Sequence, residues 1–382
     1  MRRLLCLTVI LGLCLGQLCI GAAAAEPDIP GKSAILMDVA TGTVLYAKNE
    51  HEALSPASVT KVMTMLLIME AIDSGAIRWE DTVTASEAAA AKGGSQIYLK
   101  VGETMSVADM VKSIAVSSAN DCACAMAEHI AGSESAFADM MNTRAKELGM
   151  NDTNFVNCTG LDDGENAKDH KTSAYDIALM SRELLTKHPD IKKFTTIWMD
   201  TVRNGEFGLS NTNKLVRFYK GATGLKTGFT SGAGYCLSAS AERDGMELIA
   251  VVMGCETSAD RFAACKSMLD YGFANFAVID PTPESDSRIP VKLGTADSVT
   301  AVPADRDALL IEKAQLNQVN IHTELEDSVT APISQGQRLG TLSIRVGDQV
   351  IRQIPMIAKD AVPKLRLGQM FMRVLKNMTF CK

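Results

Sequence analysis

Two strand-like stretches bracket a long run of helical periodicity, and that arrangement most narrows what the chain can become. Ala34-Ile35-Leu36-Met37 and Val44-Leu45-Tyr46 flank a turn at Ala40-Thr41-Gly42, so residues 33–47 read as a hairpin. Far downstream, Gly234 to Ala241 and Glu247 to Gly254 are strand-like again, joined by the polar turn Glu242-Arg243-Asp244-Gly245. Between them the period changes. Val59, Val62, Met63, Leu66 and Leu67 recur at helical spacing after Ser55-Pro56, which predicts Ser55 as cap and Pro56 at the first helical position. Ser106 to Asp109 and Ser173 to Asp176 are capping boxes that open two further helices. Phe137, Met140, Met141, Ala145 and Leu148 mark another, stopped by Gly149. Ser258 to Tyr271 closes the unit as a helix with Phe262, Cys265, Met268 and Leu269 on one face. Strands at both ends of a helical run predict an α+β fold, an antiparallel sheet covered by helices.

The remainder has a different character. Residues 281–287, rich in Pro, Ser and acids, read as a linker. Thr341 to Val346 alternates and Gly336, Gly340 and Gly347 punctuate, so residues 288–360 read as a small β-sandwich. From 361 to 382, Leu367, Met370, Phe371, Val374, Leu375 and Met378 recur at helical spacing. Lys364, Arg366, Arg373, Lys376 and Lys382 accompany them, and no acid follows Asp360. A basic amphipathic helix of this kind suits the surface of an anionic membrane, the alternative being a helix docked on its own domain. At the other end, Arg2 and Arg3 precede an uncharged apolar run from Leu4 to Ile20 and the small residues Gly21 to Ala25. Residues 1–25 read as a signal peptide, with an uncleaved anchor as the alternative. The chain would then act outside the cytoplasmic membrane. The expected organisation is a signal peptide at 1–25, a catalytic domain at 26–278, a linker at 279–287, a β domain at 288–360 and a helix at 361–382.

Composition excludes several classes. Hydrophobic residues at 47% and charged residues at 22% rule out a disordered or collagen-like chain and a polytopic membrane protein. A net charge of −7 offers no basic field for nucleic acid. Five histidines without an HxH or HExxH pattern predict no metal site. Three of the ten cysteines fall in the leader, and most of the other seven read as small buried hydrophobes; one bridge stays open as an alternative.

Three short motifs carry chemistry. Ser58-Val-Thr-Lys61 places a hydroxyl and an amine three residues apart at a helix start, hence on one face. A serine becomes a nucleophile when a neighbouring base takes its proton, and a lysine can be that base if burial lowers its pKa. Ser118-Ala-Asn120 lies between two helical runs, and Lys226-Thr227-Gly228 stands before a strand. Each alone reads equally as a cap, a turn or a solvated charge. Together, in this order, they describe an acyl-transfer site.

The set resembles the penicillin-recognising serine enzymes, the group of β-lactamases and penicillin-binding proteins. Pro56 to Thr64, Gly94-Ser-Gln, Gly160-Leu-Asp, Ser173 to Leu179, Gly224 to Thr230 and Ala233 to Leu237 narrow the likeness to the serine-type D-Ala-D-Ala carboxypeptidases. The likeness spans residues 30–275, and the later β domain and basic helix resemble, less specifically, the C-terminal half of penicillin-binding protein 5-like members. It implies Ser58 as the acylated nucleophile, Lys61 as proton acceptor and Ser118 as a proton relay to the leaving amine. It implies Asn120 as orienter of substrate amides, and Lys226, Thr227 and Gly228 as the lining that binds the substrate carboxylate. The expected oxyanion hole is the backbone N–H of Ser58 and of Thr230. The implied substrate is a peptidoglycan stem peptide ending in D-Ala-D-Ala, the implied inhibitors are β-lactams, and no cofactor is needed. Three positions depart from many relatives: Ala119 where Gly is common, Phe229 where some have His, and Thr159 where many have His.

Rival readings lack their signatures. A class A β-lactamase needs a general-base Glu between Asn120 and Lys226, and Glu183 there lies in a helical pattern. A lipase-like hydrolase needs a G-x-S-x-G elbow, and a zinc carboxypeptidase needs ligands. A wall-binding module with a decayed site would not be expected to keep all three motifs.

Overall fold

The computed structural model describes residues 25–162, 166–283 and 287–379. The signal peptide expected at 1–25 lies, but for Ala25, outside them, as do parts of the linker and Cys381. The described chain divides into two compact units, residues up to Asn275 and residues from Phe276 on.

In the first unit the hairpin forms from β1 (Ser33–Asp38) and β2 (Val44–Lys48). The longer helices follow: α1 (Lys61–Asp73), α2 (Val107–Ser117), α3 (Asn120–Ala131), α4 (Glu134–Glu147) and α5 (Ala174–Lys187). Then come β3 (Ala222–Thr230), β4 (Gly234–Arg243), β5 (Met246–Cys255) and α6 (Ser258–Asn275). The sheet order is β2-β1-β5-β4-β3, antiparallel throughout, so the N-terminal hairpin closes onto the C-terminal meander.

Every residue of β1 is buried, because the sheet is covered on both faces. Ile35 and Met37 join the core built with α1 and α5. Leu36 points the other way, against α6, where a Cβ on Gly272 would come within 3.0 Å of its side chain. Ser106 and Ser173 cap α2 and α5 as their sequences predict, each accepting a backbone N–H three residues on at 3.1 Å.

The start of α1 differs from expectation. Pro56, not Ser55, sits at the N-cap, no side chain caps the turn, and a 3-10 turn (Ala57–Thr60) comes before the α-helix. The reason is Ala57, whose φ of +49° breaks regular helical entry. Nor is α1 amphipathic: Lys61 through Met69 are all buried, as suits a helix packed on all sides.

The six described cysteines are free and buried, and burial raises each thiol above its ordinary range.

The second unit is built of strands, with one 3-10 helix (Lys313–Gln318), until its last helix. A two-stranded ladder joins β6 (Phe276–Ile279) to a strand at Leu309–Glu312. A six-stranded sheet holds β7 (Arg288–Lys292), β8 (Ser298–Pro303) and the strands Val319–Leu325, Val329–Thr330, Arg338–Val346 and Gln349–Ala358. In β7, Ile289 and Val291 are buried between exposed neighbours, and Leu342 and Ile344 fill the same core. Ile279 and Leu309 of the small ladder pack against it.

The last helix, α7 (Leu367–Thr379), exposes Leu367, Phe371 and Met372. Arg373 on it donates to the Gly294 carbonyl at 2.9 Å and pairs with Asp297. Among the described residues no helix is long and apolar enough to cross a membrane.

Candidate active site

Ser58 lies in the 3-10 turn and Lys61 opens α1, so the three-residue spacing brings their side chains together. Lys61 Nζ donates to Ser58 Oγ at 3.0 Å and to the Thr159 carbonyl at 2.9 Å. The lysine is wholly buried, and this desolvation lowers its pKa to about 7 despite the opposing field of Cys158 and Asp121. A half-neutral amine in contact with a serine hydroxyl can take its proton near neutral pH.

The Thr159 carbonyl is held by a local device. Asn157 Oδ1 accepts from the backbone N–H of Thr159 at 3.1 Å and of Gly160 at 2.7 Å, and its amide donates to the Leu161 carbonyl at 3.0 Å. Lys61 meets the backbone of Thr159, so the departure from His at that position leaves this contact intact.

The Lys226-Thr227-Gly228 segment runs along β3, at the open edge of the sheet. Gly228 is where β3 meets the nucleophile: a Cβ there would lie 2.6 Å from the Pro56 carbonyl and 3.1 Å from Ser58 N. Only glycine allows that approach. Lys226 is buried and donates to the Thr227 carbonyl at 2.8 Å. Burial pulls its pKa well down, and the cations of Lys61 and Arg261 pull it further.

Thr227 Oγ1 donates to Thr212 Oγ1 at 2.7 Å, and Thr212 N–H donates to the Val116 carbonyl at 3.1 Å. That chain ties β3 to the end of α2, where Ser118 stands. Ser118 is buried and left-handed, with φ +63°, a conformation uncommon outside glycine that recurs at functional positions. Ala119, where relatives often have Gly, is buried at the N-cap of α3. Asn120 donates to the Gly93 carbonyl at 2.7 Å, while its buried Oδ1 has no partner among the described residues.

Thr230 Oγ1 accepts from Ala233 N–H at 3.1 Å in the turn to β4. Phe229 is exposed and stacks on Tyr235 at 4.3 Å between centroids.

Sequence reasoning missed several residues that build this site. Asp121 is buried beside Asn120 and accepts the N–H groups of Ile97 and Leu99 at 3.1 and 3.0 Å, which fixes the loop next to Asn120. Arg261 on α6 donates to the Gly228 carbonyl at 2.9 Å and has a buried Nε without a partner among the described residues. No carboxylate among the described residues pairs with Lys61, Lys226 or Arg261. The Arg261 guanidinium, with the Lys226 amine beside it, suits a carboxylate, whose negative charge would favour the protonated form of Lys226.

Glu183 donates nothing to this chemistry: it accepts from Arg144 at 2.7 Å on another face. No group of His, Cys, Asp and Glu that could hold a metal occurs among the described residues.

Residues 20–257 match the family described as D-alanyl-D-alanine carboxypeptidase, and residues 282–364 match that described as penicillin-binding protein 5, C-terminal domain. The chain is 43% identical over 350 residues to the D-alanyl-D-alanine carboxypeptidase DacF of Bacillus subtilis, covering 90% of this chain and 89% of that one. Its fold is similar to that of penicillin binding protein 5 from Haemophilus influenzae, with a TM-score of 0.73 and 31% identity, covering 89% of this chain and 100% of the other. The ampicillin-bound penicillin-binding protein D2 of Listeria monocytogenes matches at a TM-score of 0.60 and 31% identity, covering 65% of this chain and 100% of that one.

Proposed function

Because the chain belongs to the D-alanyl-D-alanine carboxypeptidase family, we propose that it trims the terminal D-alanine from peptidoglycan stem peptides through an acyl-enzyme on Ser58. The observation that carries this is the contact at 3.0 Å between Ser58 Oγ and a buried Lys61 of pKa about 7. Ser58 Oγ attacks the carbonyl carbon of the penultimate D-alanine while Lys61 Nζ takes its proton. The backbone N–H groups of Ser58 and Thr230 receive the oxyanion. The C–N bond breaks, Ser118 passes a proton to the departing amine, and free D-alanine leaves. Water then cleaves the ester by the same route and restores Ser58.

Arg261 and Lys226, with the Thr227 hydroxyl, bind the carboxylate that marks a carboxypeptidase substrate, and that carboxylate's charge favours protonated Lys226. Asn120 Oδ1, buried and without a partner among the described residues, accepts an N–H of the acyl side. The open edge of β3 offers backbone groups to an extended peptide. The same geometry accepts a β-lactam: its lactam carbonyl acylates Ser58 and the ring-opened amine stays attached.

The enzyme works outside the cytoplasmic membrane after loss of residues 1–25. Its catalytic domain ends at Asn275, three residues short of the expected 278, and the β domain includes the ladder that begins at Phe276 as well as the expected 288–360. The exposed Leu367, Phe371 and Met372 with the basic residues of 361–382 rest on the anionic outer face of that membrane.

The deciding experiment is D-alanine release from a D-Ala-D-Ala-terminated muropeptide by residues 26–382 and by its Ser58→Ala form. Release by the first alone is expected, with a loss of about 10⁴-fold or more in the variant. No release from either, with both well folded, would sink the reading.

A further inference from the structure

The peptide bond between Ala57 and Ser58 is gripped at both ends. It is trans, so its carbonyl oxygen and its N–H point in opposite directions from one rigid plane. Fixing the carbonyl therefore fixes the N–H, and Ser58 N–H is the donor placed above in the oxyanion hole. At the carbonyl end, Thr60 Oγ1 donates to Ala57 O at 2.8 Å. At the amide end, β3 presses in at Gly228, whose missing Cβ would stand 3.1 Å from Ser58 N. The plane needs such a grip, because Ala57 carries a φ of +49°, a conformation that disfavours any residue with a Cβ.

His170 completes the grip from a distant segment. Its Nδ1 accepts the Val156 N–H at 3.0 Å, which leaves the proton on Nε2. Nε2 lies 2.8 Å from Thr60 Oγ1 and must donate to it. The threonine hydroxyl is thus directed: it accepts from His170 and gives its own proton to Ala57 O. All three residues are buried. Burial and the Lys61 cation pull the imidazole pKa down to about 4, so it stays neutral and keeps this tautomer at working pH. The backbone of segment 154–156 pairs with that of 170–172, through Asn154 and Lys171, which holds the ring in place.

We propose that His170 and Thr60 form a positioning pair for the oxyanion hole, aiming the Ser58 N–H by holding the carbonyl of the same peptide plane. The proposal rests on the reading of Ser58 as the acylated residue. Neither side chain touches substrate; both act through the backbone.

The test uses residues 26–382 with three substitutions. Thr60→Val keeps the shape and removes the hydroxyl. His170→Asn keeps an acceptor for Val156 N–H but falls short of Thr60. His170→Gln carries an N–H to the place of Nε2. Losing an oxyanion donor outright costs about 10²- to 10³-fold in kcat, so a misaimed donor should cost about 10- to 100-fold. Thr60→Val and His170→Asn are expected to lose that factor in kcat for D-alanine release, with KM within about twofold of wild type, and His170→Gln to recover most of it.

The second readout is affinity for a peptidyl boronic acid that forms a tetrahedral adduct on Ser58. It should fall by the same factor as kcat, whereas affinity for a non-reactive substrate amide should not move. Two results would overturn the proposal: variants that acylate at wild-type rate, or a loss confined to KM with boronate affinity unchanged. A wild-type chain that forms no adduct on Ser58 would instead overturn the underlying reading, and this inference with it.

Discussion

Replacing Lys61 by methionine should lower acylation by about 10³- to 10⁶-fold and at the same time raise thermal stability near neutral pH. Both effects come from the same burial. In the wild type the amine is fully enclosed, and its pKa stands at about 7 against an ordinary value of 10.5. Acylation should therefore rise with pH through about 7, as Lys61 loses its proton and becomes a base. The unfolded chain, by contrast, keeps the lysine protonated up to about 10.5. Between pH 7 and 10.5 the unfolded state binds more protons, so stability rises with pH across that window. Below pH 7 the folded state must hold a desolvated cation, and the full destabilisation is present there. Methionine fills the space without a charge. Its stability advantage should be largest at pH 6 and shrink by pH 9, offset in part by the Thr159 carbonyl left without its donor. Denaturant midpoints of the two proteins at pH 6 and 9, with stopped-flow acylation by a chromogenic β-lactam between pH 5 and 9, check both halves. A pH-independent acylation rate in the wild type would remove Lys61 as the base. An advantage that grows with pH would contradict the desolvation argument.

The sequence announced what is local and hid what is not. The caps at Ser106 and Ser173 are legible because the acceptor and the N–H it satisfies are three residues apart. Ser58 and Lys61 are legible for the same reason: helical spacing alone puts them in contact. Periodicity found α1 but not its burial on every side, which leaves no polar face to mark its phase. The cap at Ser55 failed because tertiary packing sets the entry: β3 meets Pro56 and Ser58 through Gly228, and Ala57 adopts φ +49° beside them. Asp121, Thr60, His170 and Arg261 left no local pattern. Their partners lie far along the chain: Ile97 and Leu99 for Asp121, Thr60 for His170, Gly228 for Arg261. Arg261 reads as an ordinary helical charge until the fold buries it. The resemblance supplied roles for the motif residues, while the groups that aim them are visible only in three dimensions.

Gly160→Ala should abolish catalysis even where the protein still folds. Gly160 has φ +80°, and an added Cβ would stand 1.8 Å from the Ala57 carbonyl oxygen and 2.7 Å from Thr60 Oγ1. A left-handed alanine costs about 1–2 kcal/mol, and overpacking a tight contact adds about 1–3 kcal/mol. The total, about 2–5 kcal/mol, is a large part of a domain's stability. The direction in which the strain relaxes decides the catalytic effect. Ala57 cannot retreat without turning the peptide plane that carries Ser58 N–H. The 157–161 loop cannot retreat without carrying the Thr159 carbonyl away from Lys61 Nζ, since Asn157 binds Thr159 and Gly160 as one piece. Either movement disables one of two groups that acylation needs, the N–H that receives the oxyanion or the amine that takes the Ser58 proton. Gly149→Ala is the control: φ is +76° there too, but nothing lies within 4 Å of the added Cβ. It should lower stability by only about 1 kcal/mol and leave D-alanine release unchanged. Comparing the two by denaturant midpoint and by acylation rate separates left-handed strain, common to both, from the collision, which Gly160 alone meets. If Gly160→Ala acylated as fast as Gly149→Ala, the close approach of the loop to Ala57 would have no part in aligning Ser58.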